Sequence, residues 1–183
     1  METIESELRQ FFATVVWNHK IHEKQSDIYT FKFNFFENTK IFCLTLTTSG
    51  LLSSFFTDEL WIKIVATIVS AINIFINSYY KTYNLKELKD SHKKTALKFL
   101  SLRNRLISIF SDIHCNFLKL DEVRELRNEI YREYNAICEA ALPTSDKAVK
   151  QASVALSIKR DNTFSDDEIN SYLPIELRKE ERK

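Results

Sequence analysis

Glycine and proline are nearly absent from this chain of 183 residues, which has one glycine and two prolines. Tight turns, bulges and phosphate-cradling loops depend on glycine, because it accepts backbone conformations that other residues avoid. Because Gly50 is the one glycine, the chain contains neither the glycine-rich dinucleotide-binding motif nor a P-loop, both of which need several glycines. The composition therefore predicts an all-α fold built from long helices.

Cysteine is also scarce, and the charges nearly cancel. Cys43, Cys115 and Cys138 are scattered and odd in number, so structural disulfides are not expected. A net charge of +1 argues neither for nor against a nucleic-acid partner. The first five residues are acidic and lack the apolar core of a signal peptide, so we expect no cleaved leader.

The chain contains two long runs without a charged residue, 41–57 and 64–80. Each run is about 25 Å long as a helix, and flanking residues extend it toward the roughly 30 Å of a bilayer core. The short connection makes the two helices antiparallel neighbours. We predict a transmembrane helical hairpin with spans at about 39–57 and 61–80. The alternative is a hairpin buried in a soluble helical domain, because the runs carry many hydroxyl and amide side chains.

The flanking charges predict the orientation of this hairpin. Lysines lie at the outer ends of both spans and acids lie at the tip: Lys40, Lys81, Lys86 and Lys89 against Asp58 and Glu59. The positive-inside rule then places both termini of this multi-pass protein in the cytoplasm and the tip outside. Aromatic residues at both ends suit the membrane interfaces.

Polar residues within the spans fall into two stripes at helical spacing. The first span carries Thr45, Thr48, Ser49 and Ser53, and the second carries Lys63, Thr67, Ser70, Asn73 and Asn77. Small and hydroxyl residues allow close packing of membrane helices. Amides in a bilayer require a partner or water, which points to a bundle interior or an aqueous cavity. Both readings, a packing seam and a pore lining, remain open.

The chain divides into four segments. Residues 1–37 form an N-terminal cytosolic amphipathic helix, which continues into the first span with at most a kink near residue 37. Residues 38–81 form the hairpin, 82–159 a cytosolic helical bundle, and 160–183 a short helix and a charged tail.

Within the bundle, a heptad pattern after Tyr80 packs on the N-terminal helix. It supplies an expected cytosolic assembly face of Leu88, Phe99, Leu102, Leu106 and Ile109. A turn is predicted near residues 118–121 with Asp121 as N-cap. A short helix is predicted at 146–158, and Ser165 begins the last one.

No catalytic constellation stands out, so we expect no enzymatic activity, no cofactor and no metal site. His19 and His22 are three residues apart, which favours packing or inter-helix hydrogen bonding over a zinc site that nothing completes. The lysines that follow the second span scatter around the helix. They favour contact with anionic lipid over a phosphate-rich ligand or nucleic acid.

This layout resembles the SLATT domain proteins, small bacterial two-span effectors of antiviral and inter-genomic conflict systems. The resemblance rests on the hairpin and on four local features: Trp17 with His22-Glu23, His92, Ser165-Asp166-Asp167-Glu168-Ile169, and Leu173-Pro174-Ile175-Glu176-Leu177-Arg178.

The resemblance implies an effector of a CBASS-like, abortive-infection system. It implies that the chain oligomerises and forms a pore or disrupts the inner membrane when triggered. Its partners would be the lipid bilayer, other copies of the chain, and a nucleotide second messenger or a sensor protein from the same locus. The alternatives are a membrane-anchored scaffold or sensor that recruits a cytosolic partner, and a membrane-associated enzyme subunit.

Overall fold

The computed structural model describes residues 2–53, 59–161 and 163–174, and within these ranges the fold is all-helical. Six helices follow one another: α1 (Glu2–Ser53), α2 (Leu60–Tyr83), α3 (Leu85–His114), α4 (Leu120–Ala140), α5 (Asp146–Ser157) and α6 (Asp166–Tyr172). The predicted all-α class is confirmed. Asp58, the end of the first predicted span and the tail from Ile175 lie outside the described residues.

Helix α1 is one uninterrupted rod of 52 residues, about 78 Å at 1.5 Å per residue. It passes the predicted boundary at residue 37 without a break, as the absence of glycine and proline before Gly50 allows. Its N-terminal half packs against α3, α4 and α5, and its C-terminal half packs against α2. This one helix therefore connects the bundle directly to the hairpin.

The bundle core forms where three helices bring their apolar faces together. The buried cluster is Leu8, Phe11 and Val15 of α1, Phe99, Leu102, Leu106, Ile109 and Ile113 of α3, and Val123, Ile130 and Ile137 of α4. The heptad seam and its predicted partner, the N-terminal helix, are thereby confirmed.

The expected assembly face is corrected by the same packing. Leu102 and Leu106 are 0% exposed, and Phe99 and Ile109 are buried as well, because α1 and α4 already cover them. Leu88 is only half-buried, at the start of α3. Four of the five residues thus pack inside the chain and leave no surface there for a second copy.

The turn after α3 is made by asparagine instead of glycine. Asn116 adopts a left-handed conformation with φ 57°, which asparagine tolerates better than most residues. The backbone N–H of Phe117 donates to the carbonyl of Asp112 at 2.9 Å, and that of Asn116 to Ile113 at 3.1 Å, which is a Schellman motif. The helix therefore ends at His114, four residues before the predicted turn. Asp121 lies within the first turn of α4 instead of at its N-cap, which is Lys119.

The two C-terminal helices begin at serine caps. Ser145 Oγ accepts a hydrogen bond from the Ala148 amide at 3.3 Å, and Ser165 Oγ accepts one from the Glu168 amide at 3.2 Å. The Ser165 amide also donates to Glu168 Oε2 at 2.8 Å, so the predicted capping box is confirmed. Gln25 Oε1 accepts from both the amide and the hydroxyl of Ser145, which ties α5 to α1.

Candidate functional site

The second half of α1 and the whole of α2 form an antiparallel pair, called the hairpin below. The rings of Phe33 and Tyr80 lie 5.8 Å apart at one end, and the Tyr80 hydroxyl donates to the Phe33 carbonyl at 2.7 Å. Toward the tip, Gly50 lies against Ala66. The predicted helix pairing is therefore present, with its aromatic end nearest to the bundle.

Gly50 makes close approach of the two helices possible. A Cβ atom at this position would lie 3.2 Å from the Cβ of Ala66, which is tighter than ordinary van der Waals contact. The single glycine of the chain thus serves a helix crossing and not a turn, as small residues do between membrane helices. Sequence analysis missed this role, although a lone glycine in the middle of an apolar helix is its signal.

Most of the hairpin surface is apolar and exposed. Large side chains that point outward include Ile41, Phe42, Leu44, Leu46, Leu51, Leu52, Trp61, Ile64, Val65, Ile68, Ile72, Ile74 and Phe75. A soluble monomer rarely exposes so continuous an apolar surface. Among the described residues, the helical stretch that starts at Leu60 is long and apolar enough to span a bilayer, and little of it is buried. The surface requires lipid or protein around it.

Two grooves run along the two sides of the contact between α1 and α2, and they differ in chemistry. The polar groove, of about 320 Å³, is lined by Thr47, Gly50, Leu51, Lys63, Ala66, Thr67 and Ser70. The apolar groove, of about 250 Å³, is lined by Leu46, Ser49, Gly50, Ser53, Trp61, Ile62, Val65, Ala66 and Val69. The hairpin therefore has a polar side and an apolar side.

The two predicted polar stripes do not share one side. Lys63, Thr67 and Ser70 line the polar groove, whereas Ser49 and Ser53 line the apolar groove. Thr45 and Thr48 are exposed, and at about 100° per residue they lie well away from the face that Gly50 turns to α2. The four polar residues of the first span are therefore divided between the apolar groove and the exposed face of α1 that points away from α2.

Several of the hydroxyl groups in these stripes bond to their own helix. Thr45, Thr48, Ser53 and Thr67 each donate to the carbonyl four residues earlier, at 2.8–3.0 Å. A hydroxyl bonded in this way is partly satisfied without a partner helix or water. These residues therefore give weaker evidence for a water path than their sequence suggests.

Asn73 and Asn77 bond to each other along α2. The side-chain amide of Asn77 donates to the backbone carbonyl of Asn73 at 3.0 Å and to its Oδ1 at 3.2 Å. Asn73 is half-buried and Asn77 is exposed. The pair extends the polar stripe of α2 from the groove toward the aromatic end of the hairpin.

A second group of polar residues lies buried where the bundle meets the hairpin. His22 of α1 and His92 of α3 approach with their Nδ1 atoms 3.0 Å apart. Tyr29 stacks on His92 at 5.6 Å and Phe99 on His22 at 5.8 Å, so the four rings form one column between the helices. This column is called the histidine layer below.

Hydrogen bonding within the histidine layer requires that one of the two Nδ1 atoms carries no proton. One Nδ1 must donate and the other accept, so a second proton at this contact would break the bond. Burial lowers the pKa of His22 to about 4, with a further contribution from His92, and burial lowers the pKa of His92 as well. The predicted inter-helix hydrogen bonding is confirmed for His22. His19 is also buried, 4.0 Å from Glu23, and burial lowers its pKa.

Lys20 provides a second buried link across the bundle. Its side chain is 3% exposed, and its ammonium lies 2.8 Å from Glu23 and 3.4 Å from Asp161, in the segment after α5. A buried ammonium is stable only with such partners. Sequence analysis gave Lys20 no role, because Asp161 is 141 residues away in the chain.

Comparison with known proteins gives the identity of the fold. No curated protein and no solved structure matches the chain. The family model of SMODS and SLOG-associating 2TM effector domain family 4 matches residues 4–168, which include all but the first two residues of α1, the whole of α2 to α5 and the first residues of α6. The match confirms the resemblance noted in the sequence, and the chain belongs to the SMODS and SLOG-associating 2TM effector domain family.

Proposed function

We propose that this protein is a membrane effector of a bacterial antiviral system of the abortive-infection, CBASS-like kind. The hairpin inserts into the inner membrane with both termini in the cytoplasm. When the system is triggered, several copies assemble and breach the membrane. Two observations support this proposal: the continuous exposed apolar surface of the hairpin, and the family to which the chain belongs.

The arrangement of the helices supports insertion of the hairpin. Exposed large apolar residues follow one another along the hairpin, whereas the bundle buries a cluster of apolar residues from three helices in a core. Lipid is the environment that satisfies such a surface without any polar partner. Lys86 and Lys94 are exposed at the start of α3, where they suit the anionic headgroups of a cytoplasmic leaflet.

The bundle is the part of the molecule that a trigger can reach from the cytoplasm. It joins the hairpin through α1, which passes without interruption from one to the other. A nucleotide second messenger or a sensor protein from the same locus would act on this bundle. A movement of α1 against α3 would then reach the hairpin directly.

Two variants with the same apolar-to-charged change test the proposal. Ile72 on α2 and Ile107 on α3 are both 45% exposed, but only Ile72 lies in a predicted span. An arginine at the centre of a membrane helix costs about 2.5–3.5 kcal/mol on the insertion scale. On induced expression in a bacterial host, we expect the parent chain and Ile107→Arg to resist alkaline extraction and to depolarise cells. Ile72→Arg should lose both properties.

Each result of this experiment has a distinct meaning. Extraction of the parent chain by alkali would refute insertion. Stable insertion with normal growth and a normal membrane potential, even when the defence locus is triggered, would refute the breach and favour a membrane-anchored scaffold. Equal effects of the two arginine variants would mean that α2 has no special relation to the membrane.

A further inference from the structure

We infer that the C-terminal helix α6 of one copy docks in a cleft between α1 and α5 of a second copy. This cleft, called the α1–α5 cleft below, has a volume of about 470 Å³. It is lined by Lys24, Asp27, Lys150, Gln151, Val154, Ala155, Lys159 and Asp161. The inference rests on the insertion of the hairpin proposed above, and it names the surfaces through which inserted copies meet.

Helix α6 lacks a packing partner in its own chain. It has seven residues, whereas isolated helices shorter than about 12–15 residues are marginal in water. In the part of the chain that the structure describes, α1 packs on α2, α3 and α5, and α3 packs on α4, but α6 has no comparable contact with another helix. A helix of this length therefore needs a surface that another molecule supplies.

The side chains around α6 form an apolar patch that such a surface would cover. Phe164 is 63% exposed and Tyr172 is 78% exposed, and their rings lie edge to face with centroids 6.4 Å apart. Ile169 between them in the chain is 41% exposed. The two aromatic rings cover each other only in part, so most of their apolar area remains available for docking.

The α1–α5 cleft combines an apolar wall with unpaired positive charge. Each of its two aspartates lies within 3.4 Å of a lysine ammonium, so both carboxylates already have a partner. Lys150 and Lys159 are exposed, and neither forms an ion pair with a residue that the structure describes. Val154 is 43% exposed on the same cleft. The cleft thus suits an apolar segment that carries negative charge.

Helix α6 carries that charge. Its sequence begins with three acidic residues and contains no basic residue. Glu168 is held by the Ser165 amide in the capping box, whereas Asp167 is exposed and has no ion pair among the described residues. Asp167 can therefore pair with Lys150 or Lys159 while the aromatic side chains pack on Val154. The complementary charges favour this register of docking.

A second copy brings the two surfaces together. Asp161 on the cleft lies five residues before the start of α6, so α6 begins within about 18 Å of the cleft. Copies inserted in the same orientation therefore present helix and cleft at comparable heights above the membrane. Within one chain, Tyr172 and Val154 both stay exposed, so α6 does not cover its own cleft. Since helix and cleft are different surfaces, repeated docking is heterologous and builds a ring or a row of copies.

Disulfide cross-linking between two differently tagged chains tests the inference. Both chains have their three native cysteines replaced; one then carries Tyr172→Cys, and the other carries Val154→Cys or the control Leu97→Cys. Leu97 is similarly exposed, at 52%, but lies on α3 outside the cleft. On oxidation in membranes that contain both chains, we expect Val154→Cys to give several-fold more mixed dimer than Leu97→Cys.

Reversal of charge tests the ionic part of the contact. Asp167→Lys and Lys150→Glu, each present in both tagged chains, should lower the yield of mixed dimer several-fold. The two changes together should restore it, because every copy then offers the opposite pair. Lys98→Glu, at an exposed position of α3, should leave the yield unchanged. No restoration by the double change would overturn the pairing of Asp167 with Lys150.

The possible outcomes separate this inference from the proposed function. Equal yields with Val154→Cys and Leu97→Cys would overturn the cleft as the docking site. A disulfide within one chain that carries both Tyr172→Cys and Val154→Cys, in place of mixed dimer, would overturn the second copy as the partner. Absence of mixed dimer in a chain that resists alkaline extraction and still depolarises cells would overturn the docking and leave the function standing. Mixed dimer of a chain that alkali extracts would support the docking and refute the insertion.

Discussion

At the scale of single residues, the histidine layer shows how two polar side chains are stable within a helix contact. His22 and His92 occupy seam positions that a regular heptad would give to apolar residues, and each satisfies the other across α1 and α3. Sequence spacing indicated packing or inter-helix hydrogen bonding for His22. It did not pair His22 with His92, because the relative register of two helices depends on the packing of every residue between them.

The histidine layer predicts a specific loss of stability in acid. The pKa of His22 falls from 6.5 in the unfolded chain to about 4 in the fold, so the unfolded chain binds more protons between these values. The contribution is fully present above pH 6.5 and is lost as the pH falls toward 4. Between pH 7 and 5.5 we expect the free energy of unfolding in detergent to fall by about 1 kcal/mol from His22.

Matched variants isolate this contribution. His22→Leu with His92→Leu should flatten the dependence on pH, since a bonded pair replaced by apolar residues of similar size costs little. His19 should keep a smaller slope of the same sign, because burial lowers its pKa too. A double leucine variant with the parent slope would contradict the assignment.

At the scale of helices, the sequence predicted which helices exist and their order in the chain better than it predicted which helix faces touch. The absence of glycine and proline allowed one continuous α1, and the serine caps marked the start of α5 and α6. The end of α3 was placed too late, because a left-handed asparagine stops a helix without a composition change. The separation of the polar stripes onto different sides was also missed, since it depends on how α1 faces α2.

The crossing of α1 and α2 predicts the effect of enlarging Gly50. Gly50→Val should force the helices apart, because the added atoms meet Ala66 where a Cβ alone would already lie at 3.2 Å. Overpacking of this kind costs about 1–3 kcal/mol, which should lower the melting temperature in detergent. Ala66→Gly in the same chain should restore part of the loss.

Ala71→Val is the control for this crossing, because it adds a branched side chain at an exposed position of α2, the other helix of the pair. It should leave the melting temperature almost unchanged. An equal loss for Ala71→Val and Gly50→Val would mean that branched side chains in the helices, and not the crossing, determine the stability of the hairpin.

At the scale of the whole molecule, the bundle and the hairpin differ in what they expose. The bundle buries a cluster of apolar residues, including four that the sequence suggested for assembly, whereas most large apolar residues of the hairpin are exposed. A heptad seam does not reveal whether a neighbour in the same chain or a second copy fills it. That distinction required the positions of α1 and α4.

The division between bundle and hairpin predicts which residues react from outside the cell. In a cysteine-free background, Glu59→Cys should react with an impermeant maleimide on intact cells, and Lys94→Cys only after lysis, because both positions are exposed on opposite sides of the predicted spans. The reverse pattern would invert the topology. Labelling of both in intact cells would show that α2 does not cross the membrane.

Helix α2 and helix α3 are joined by a single residue, and this makes the two links between bundle and hairpin mechanically unequal. Asn84 ends α2 through its amide, which donates to the Tyr80 carbonyl at 3.0 Å, and begins α3 through its side chain, which accepts from the Glu87 amide. Its φ of 38° lies outside the helical region. Since Asn84 is the one residue between α2 and α3, a tilt of α2 against α1 would change the two backbone torsion angles of Asn84. We therefore expect α2 to pivot at Asn84, at the aromatic end of the hairpin, when the bundle moves.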